Sequence, residues 1–449
     1  MRLRYADGTV RVEGPMETVE GSTETVADVG VSFDVDGGRF DALHYRTFRD
    51  SLRAANVEFD DDVLDPVAGP ELSCSLSLRP YQSAALRRWR SDERGVVVLP
   101  TGAGKTYVGM AAVDAVGGPT LVVVPTLELV DQWRDELARF GVPVGEFTGR
   151  AKALEPITVT TYDSAHTHAG RLGNRFEFVL FDEVHHLAAE KYQEIAERMA
   201  APARMGLTAT YERDDERHTR LTRLLGGKVY EIQTDDLTGE YLSTYTVERI
   251  TVELSPDERE TYDEHAAVFR NYVAFSSVSL DGPDGYRKLV IRSGNDPRAW
   301  RAIRAKETSR KIAFNAESKL DELASLLREC RENGDRVVVF TRYNDLVHVV
   351  ADRFLIPSIT YKTPTDERRA ILSGFKSGRY DAVVSSQVLD EGVDVPDANV
   401  GIILSGTGSE REYRQRLGRI LRPSEKSARL YELVSADTGE VRTADRRRA

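Results

Sequence analysis

Apolar and polar positions change rhythm several times along the chain. Over residues 1–65 they alternate in short runs, "RLRYADGTVRVEG" and "VSFDVDGG", then shift to helical spacing in "HYRTFRDSLRAAN". A period of two predicts half-buried strands, and a period near 3.6 predicts a helix with one apolar face. An acidic turn, "FDDDVLDPVAGP", marks a boundary near residues 59–70. From Leu78 to about Gln233, β-branched runs ("GVVVL", "TLVVVP", "ITVTTY", "FEFVLFDE") alternate with helical stretches. The alternation resumes at Asp335 with "RVVVFTR", "IPSITY", "YDAVVSS" and "VGIILSG". Such runs predict parallel strands with helices on both faces. Between the two blocks lies a helical, charged, aromatic-bearing stretch, "SPDERETYDEHAAVFRNYVAF". The predicted fold is therefore α/β: a small N-terminal α+β module (1–65) and two parallel-sheet units (70–240 and 241–449). The second unit carries a helical insert at about 255–310.

Several strand ends carry chemistry. "LPTGAGKTYVGMA" follows a strand and opens a helix. Gly102 and Gly104 permit a tight loop whose N–H groups surround phosphate oxygens, and the helix N-terminus adds partial positive charge. Lys105 can reach the β/γ-phosphates, and the Thr106 hydroxyl can hold Mg²⁺. Leu99 stands where the strict phosphate-loop pattern has its first Gly. "VLFDEVHHLAAE" ends another apolar run in two carboxylates, suiting Asp182 to Mg²⁺ and Glu183 to the attacking water. His185 and His186 are adjacent and so face different ways, and no H-E-x-x-H pattern occurs, which argues against a metal role. His166 and His168 read as loop residues. Gln82, in "LRPYQSAAL", carries an amide able to donate to and accept from an adenine edge. Farther on, "EYRQRLGRILRP" spaces Arg416, Arg419 and Arg422 three apart on one helical face, one turn from Gln415. Arginines so placed can neutralise charge developing on a γ-phosphate. "VSSQVLDEGVDVPDANV" offers Gly392 and Asp394, suited to close approach and to a ribose or arginine contact. "GLTATYERDDERH" leaves a buried strand and runs at once into charges of both signs.

Composition narrows the picture. Two distant cysteines, Cys74 and Cys330, make neither a disulfide framework nor a zinc site, and suit a reducing cytoplasm. No apolar run approaches the ~18 residues of a membrane span, and "MRLRYADGTV" has no apolar core of a secretory signal. Acids outnumber bases 73 to 61, for a net charge of −12, and only 11 of the bases are Lys. Such a chain suits a very salty cytoplasm. Net acidity does not exclude a local basic track for nucleic acid.

The ordered set "PYQ", "PTGAGKT", "VVPTLELVDQW", "TTYDSA", "DEVHH", "LTAT", "VVFTRYN", "SSQVLDEGVDVP" and "QRLGRILRP" resembles the superfamily 2 helicases. More narrowly the chain is similar to the xeroderma pigmentosum group B (XPB) helicase family in its short archaeal form. The resemblance implies two RecA-like domains with ATP bound between them, an N-terminal damage-recognition-like domain, a thumb insert and an Arg-Glu-Asp motif. It implies catalytic roles for Lys105, Asp182, Glu183, Arg419 and Arg422, with Thr106 and Asp182 on Mg²⁺. ATP would be held by Arg79, Gln82, Thr101, Gly102, Ala103, Gly104, Lys105, Thr106, Gly392, Asp394 and Gln415. Thr208 and Thr210 match the motif that links hydrolysis to domain closure. DNA would be touched by Thr126, Thr160 and Thr341, and by Arg213, Asp214 and Asp215, where Asp214 replaces the family's Glu.

The implied activity is an ATP- and Mg²⁺-dependent 3′-to-5′ DNA helicase or translocase. Nucleotide excision repair, and duplex opening in transcription, are the expected settings. Single- and double-stranded DNA are the expected partners, joined by a nuclease, with the protein a monomer. An RNA helicase, or an ATP-driven switch that clamps DNA without processive unwinding, remains open on the same motifs.

The acid-rich surface predicts greater stability at molar salt, where the screening length is only ~3 Å and repulsion between surface acids is quenched. A circular-dichroism melt with its highest Tm in dilute buffer would contradict this reading.

Overall fold

The computed structural model describes residues 1–14, 32–34, 37–211, 219–237, 241, 245–276, 285–386, 398–406 and 427–448. Two compact units divide the chain, Met1–Asp236 and Leu237–Ala449. Among the described residues, no helix is long and apolar enough to cross a membrane.

The first unit begins with β1 (Arg2–Ala6), β2 (Thr9–Glu13), β3 (Ser32–Asp34), β4 (Gly37–Asp41) and β5 (Asp60–Asp62), in the order β3-β4-β2-β1-β5. All pairings are antiparallel except β1 with β5. Strand alternation sends Leu3, Val10, Val12 and Phe40 to one face, where Tyr45, Phe48 and Leu52 of the helix Tyr45–Ala54 close a core. This module docks in part through Tyr5 of β1. The Tyr5 hydroxyl lies 2.9 Å from the carbonyls of both Gly170 and Arg198. Glycine is required opposite it, because a Cβ on Gly173 would stand 1.9 Å from the Tyr5 oxygen.

The larger sheet of this unit comprises β6 (Arg94–Val98), β7 (Thr120–Val124), β8 (Val144–Phe147), β9 (Ile157–Thr161), β10 (Phe178–Phe181), β11 (Ala203–Thr208) and β12 (Lys228–Glu231). Their order is β12-β6-β11-β10-β7-β9-β8, and every pairing is parallel. The central strands β7, β10 and β11 are buried at every position, as expected when helices cover both faces. Because β6, β11 and β10 are neighbours, the segments leaving their C-terminal ends lie side by side. Those segments are 99–106, 209–211 and 182–183.

In the second unit β13 (Tyr245–Val252), β14 (Val337–Phe340), β15 (Ser358–Ile359), β16 (Ala382–Ser385), β17 (Val400–Ile403) and β18 (Ala428–Ser435) form another parallel sheet. Its order is β13-β18-β17-β14-β16-β15. The helices Pro256–Phe275, Gly285–Ser293 and Pro297–Phe314 intervene between β13 and β14. Ser255 and Glu258 form a capping box that starts the first of them. Ala299, Ala302 and Ala305 recur every three residues along the third and are buried. The Lys306 ammonium joins all three helices, 4.9 Å from the Phe269 ring centroid and 3.9 Å from that of Tyr286.

A buried ion pair closes this unit. Lys319 Nζ donates to both Glu440 carboxylate oxygens, at 2.8 and 2.7 Å, and to the Leu404 carbonyl at 2.7 Å. It ties the helix Glu317–Glu332 to the final helix, Gly439–Arg448, and to the residue after β17. Lys319→Ala is expected to destabilise the unit by about 3–5 kcal/mol, because Glu440 is left charged in the core. A urea titration reads this as a lower midpoint for the second unit. The pair Lys319→Met with Glu440→Gln should recover part of the loss. An unchanged midpoint for Lys319→Ala would remove the pair from the account of this fold.

Candidate active site

The loop after β6 turns only where glycine allows it. Gly102 and Gly104 have φ of +84° and +76°, in the left-handed region, whereas Leu99 is not among the positive-φ residues. Leu99 instead continues the sheet, its N–H donating to the Thr208 carbonyl at 3.0 Å. That pairing explains the departure from the strict phosphate-loop pattern: no left-handed turn is needed at position 99. The helix Lys105–Val116 starts on Gly104. The N–H groups of Gly102, Gly104, Lys105 and Thr106 meet no backbone acceptor among the described residues. Four donors converging on a helix N-terminus form an anion cradle.

Gln82 supports this loop from behind. Its Nε2 donates to the Ala103 carbonyl at 3.0 Å, and its Oε1 accepts from the Arg79 N–H at 2.9 Å. The Tyr81 hydroxyl reaches the same Ala103 carbonyl at 2.8 Å. A Cβ on Gly104 would lie 2.5 Å from Gln82 Nε2, so glycine is needed for the approach as well as for φ. The Gln82 amide thus anchors the cradle, and one lone pair on Oε1 is left for an adenine amine.

At the end of β10, Asp182 and Glu183 face Lys105. Lys105 Nζ stands 3.8 Å from Glu183 Oε1, the two side chains being 12% and 13% exposed. Glu183 has φ +45° and ψ +54°, a left-handed conformation costly for a residue with a Cβ. Its Oε2 is buried without a hydrogen bond, 3.5 Å from His185 Nδ1. Asp182 accepts from Trp133 Nε1–H at 2.8 Å and from the Glu183 N–H at 2.9 Å. Its carbonyl accepts from the Tyr162 hydroxyl at 3.0 Å. Burial, and then the neighbouring Glu183, push the Asp182 carboxyl up to about 6, against the pull of Lys105 and of these donors. His185 Nδ1 lies 3.4 Å from Thr208 Oγ1, which in turn donates to the Thr210 carbonyl at 2.9 Å. His185 therefore connects the carboxylate pair to the strand end that precedes "YERDDERH".

Two carboxylates against one ammonium leave the site one positive charge short once Asp182 ionises, as it does when pH rises through about 6. Among the described residues no group of three His, Cys, Asp or Glu side chains forms a metal cage. Mg²⁺ is ordinarily held by one or two protein oxygens together with substrate phosphates, and the Asp182 carboxylate is an oxygen donor of that kind.

Profiles of known families match three stretches. They are the "Xeroderma pigmentosum group B helicase damage recognition domain" over residues 3–63, the "Type III restriction enzyme, res subunit" over 75–213, and the "ERCC3/RAD25/XPB C-terminal helicase" over 299–449. The "DNA 3'-5' translocase XPB2" of Sulfurisphaera tokodaii is 39% identical over 408 residues, 91% of this chain and 92% of that protein. The chain belongs to the XPB helicase family. The "DNA 3'-5' helicase XPB" of Kineococcus radiotolerans is 32% identical, matched over 81% of this chain and 60% of its own length. The "Putative DNA 3'-5' helicase Rad25" of Halobacterium salinarum is 31% identical, over 85% of this chain and 58% of its own. The chain thus spans about three fifths of these two longer relatives. The helicase domain of Pyrococcus furiosus Hef superposes with a TM-score of 0.53 at 20% identity, covering 83% of this chain and 98% of that one. The fold is accordingly that of two RecA-like parallel-sheet domains, with a small N-terminal domain.

Other residues that the XPB resemblance singles out are placed unevenly. Thr126 caps the helix Leu127–Leu137, its Oγ1 accepting from the Leu129 N–H at 3.3 Å while its own proton remains available. Thr160 must be replaced as a DNA contact. It is 0% exposed, and its hydroxyl donates inward to the Phe147 carbonyl at 2.6 Å. The next residue, Thr161, is half-exposed and caps the helix Tyr162–Thr167. Thr341 is likewise 0% exposed, its Oγ1 lying 3.0 Å from Ser405 Oγ. A backbone contact is closed to it while that packing holds. Thr101 is half-buried at the mouth of the loop and Ala103 is buried beneath it. Arg213, Asp214, Asp215, Gly392, Asp394, Gln415, Arg419 and Arg422 lie outside the described residues. Trp133 and Tyr162, which hold Asp182, carried no site signal of their own in the sequence, although both stand inside the quoted motifs.

The Asp182 carboxyl holds its proton more tightly folded than unfolded. Its contribution to stability is full below the ordinary 3.8 and is lost as pH rises through about 6. In a chelating buffer, Asp182→Asn is therefore expected to melt above the parent at pH 8, with the gap closing toward pH 4. A thermal melt series across that range checks it. A gap that does not change with pH would contradict the assignment of burial as the cause.

Proposed function

We propose that this chain is an ATP-dependent motor that moves 3′-to-5′ along DNA and opens duplex DNA, in nucleotide excision repair and in duplex opening for transcription. One observation carries the reading: Lys105 and the Asp182–Glu183 pair meet beside four open N–H donors, in a chain 39% identical to a protein described as a DNA 3′-5′ translocase. The cradle 101–106 binds the β- and γ-phosphates, and Lys105 neutralises them. Thr106 and Asp182 would hold Mg²⁺, which would supply positive charge against the phosphates. ATP drawing Lys105 toward phosphate loosens its hold on Glu183. The buried Oε2 then accepts a proton from the attacking water, which Glu183 orients. His185 carries the change at Glu183 to Thr208 and Thr210.

Thr126 and Thr161 contact a DNA backbone on the first unit. Gly392, Asp394, Gln415, Arg419 and Arg422 complete the nucleotide site. Arg213, Asp214 and Asp215 act at the strand junction. The module 1–65 serves as the damage-recognition-like domain and the insert 255–310 as the thumb. A nuclease is the expected partner, and the chain acts as a monomer.

The test pairs phosphate release with displacement of a labelled strand from 3′- and 5′-tailed duplexes. Lys105→Ala should abolish both, because the phosphates lose their point charge. Normal phosphate release from that variant removes the phosphate-loop assignment. DNA-stimulated hydrolysis without displacement makes the chain a clamp. Stimulation by RNA but not DNA makes it an RNA helicase.

A further inference from the structure

We propose that Lys152, His168 and Arg171 form a patch that grips the phosphate backbone of DNA on the first unit, outside the motif-bearing loops. The proposal rests on the reading of the chain as a DNA motor.

The patch is assembled around one ring. Phe147 ends β8 and is 0% exposed. Lys152 Nζ lies 4.5 Å from its centroid, the Arg171 guanidinium carbon 5.3 Å, and the His168 ring 5.2 Å edge-on. Lys152 is set in place by its backbone. Phe147 and Lys152 bridge antiparallel, with Thr148 N–H to Ala151 at 2.8 Å and Ala153 N–H to Glu146 at 2.9 Å. Gly149, between them, faces open space. Lys152 Nζ and His168 Nε2 are 3.1 Å apart. An ammonium can only donate, so Nε2 is the acceptor and the ring is neutral. Burial, and then Lys152 and Arg171, lower its proton affinity in the same sense.

What the patch lacks is a carboxylate. Neither Lys152 nor Arg171 has an ion pair among the described residues, and both are exposed. The nearby acids are engaged elsewhere. Glu146 receives Thr148, Arg134 and Arg150, and Asp131 receives Arg150. Asp163 receives Lys191 and Tyr192. Asp7, across Gly170, stands 3.9 Å from Arg198. In a chain of net charge −12, two uncompensated cations beside a third basic group select for an external anion.

Position says which anion. His168 ends the helix that Thr161 begins. Six helical residues span about 9 Å, close to the rise of three nucleotides at roughly 3.4 Å each along one strand. A strand resting on Thr161 therefore brings later phosphates to the patch. The ring within it is buried, so no base can stack there, and the contact is to backbone and indifferent to sequence.

The competing explanation is that the long side chains merely cover Phe147 with their aliphatic stems. Lys152→Met with Arg171→Met keeps the stems and removes the charge. Binding of the full chain to a fluorescein-labelled 3′-tailed duplex, followed by anisotropy across a KCl series, separates the two. The double variant is expected to bind about tenfold more weakly at low salt. The slope of log K against log salt should fall by up to ~0.9 for each charge removed. Hydrolysis without DNA and Tm should stay as in the parent, and Lys152→Arg with Arg171→Lys should restore the slope. If the parent binds DNA and the double Met variant binds with the same affinity and slope, the patch is only a cover. If the parent binds no DNA at all, the motor reading falls, and this proposal with it.

Discussion

Asp182 and Glu183 set two carboxylates against one ammonium, Lys105, 3.8 Å from Glu183, and burial already opposes ionisation of Asp182. Much of the first unit reads as the scaffolding of that imbalance. The central strands are buried on both faces, so their ends are rigid platforms. Leu99 prolongs β6 by one residue against Thr208 and sets where the cradle turns. Glu183 accepts a left-handed backbone, at a cost of order 1–3 kcal/mol, to aim its carboxylate at Lys105 rather than along the strand. Trp133 and the Glu183 N–H keep Asp182 oriented without neutralising it. The pocket is held short of positive charge once Asp182 ionises.

One short helix is shared among three neighbours. Tyr162–Thr167 is capped by Thr161. Its first residue hydrogen-bonds the Asp182 carbonyl, and Asp163 takes Lys191 and Tyr192 from the segment after the carboxylate pair. His166 stands 3.4 Å from Glu194 of that same segment. The chain then passes directly to Gly170, where the Tyr5 hydroxyl of the N-terminal module attaches. The nucleotide pocket, the proposed DNA track and the module thus meet on about ten consecutive residues. Packed interiors transmit displacement rather than absorb it, so a shift at Asp182 is felt at Thr161 and at Tyr5 without a separate relay.

Legibility in the sequence followed the range of the interaction. The cradle and the carboxylate pair were readable because each is a strand end whose chemistry lies within a few consecutive residues. The parallel sheets were readable because strands buried on both faces must be apolar throughout. The choice between Thr160 and Thr161 was not readable from the motif alone. β9 is buried through Thr160 and half-exposed only at Thr161, and Phe147, thirteen positions earlier, holds Thr160 inward by accepting its proton. Trp133 reaches Asp182 across 49 residues and Lys319 reaches Glu440 across 121. No local pattern marks either pair, since a buried Trp N–H or a buried Lys is identified only once its partner is placed. His185 carried no positive signal in the sequence, and its position between Glu183 and Thr208 emerges only in the fold.

The charge of the chain bears on how such a motor would hold its track. A protein that neutralises many phosphates releases many counterions, and its grip then collapses steeply as salt rises. A net charge of −12 works against that mode, because the surface as a whole repels the backbone. On the proposed reading, attraction would be left to places where basic groups escape local pairing, as Lys152 and Arg171 do among the described residues, and to hydroxyls such as those of Thr126 and Thr161, whose hydrogen bonds are short-ranged. Contacts of this kind are few and individually weak, and each can break without freeing the rest. Those are the properties a translocating protein requires, since every step must release phosphates behind while others ahead are being gripped. Strong uniform basicity would raise affinity and slow that exchange. On the proposed reading, an acidic body with small basic footholds would keep that exchange fast.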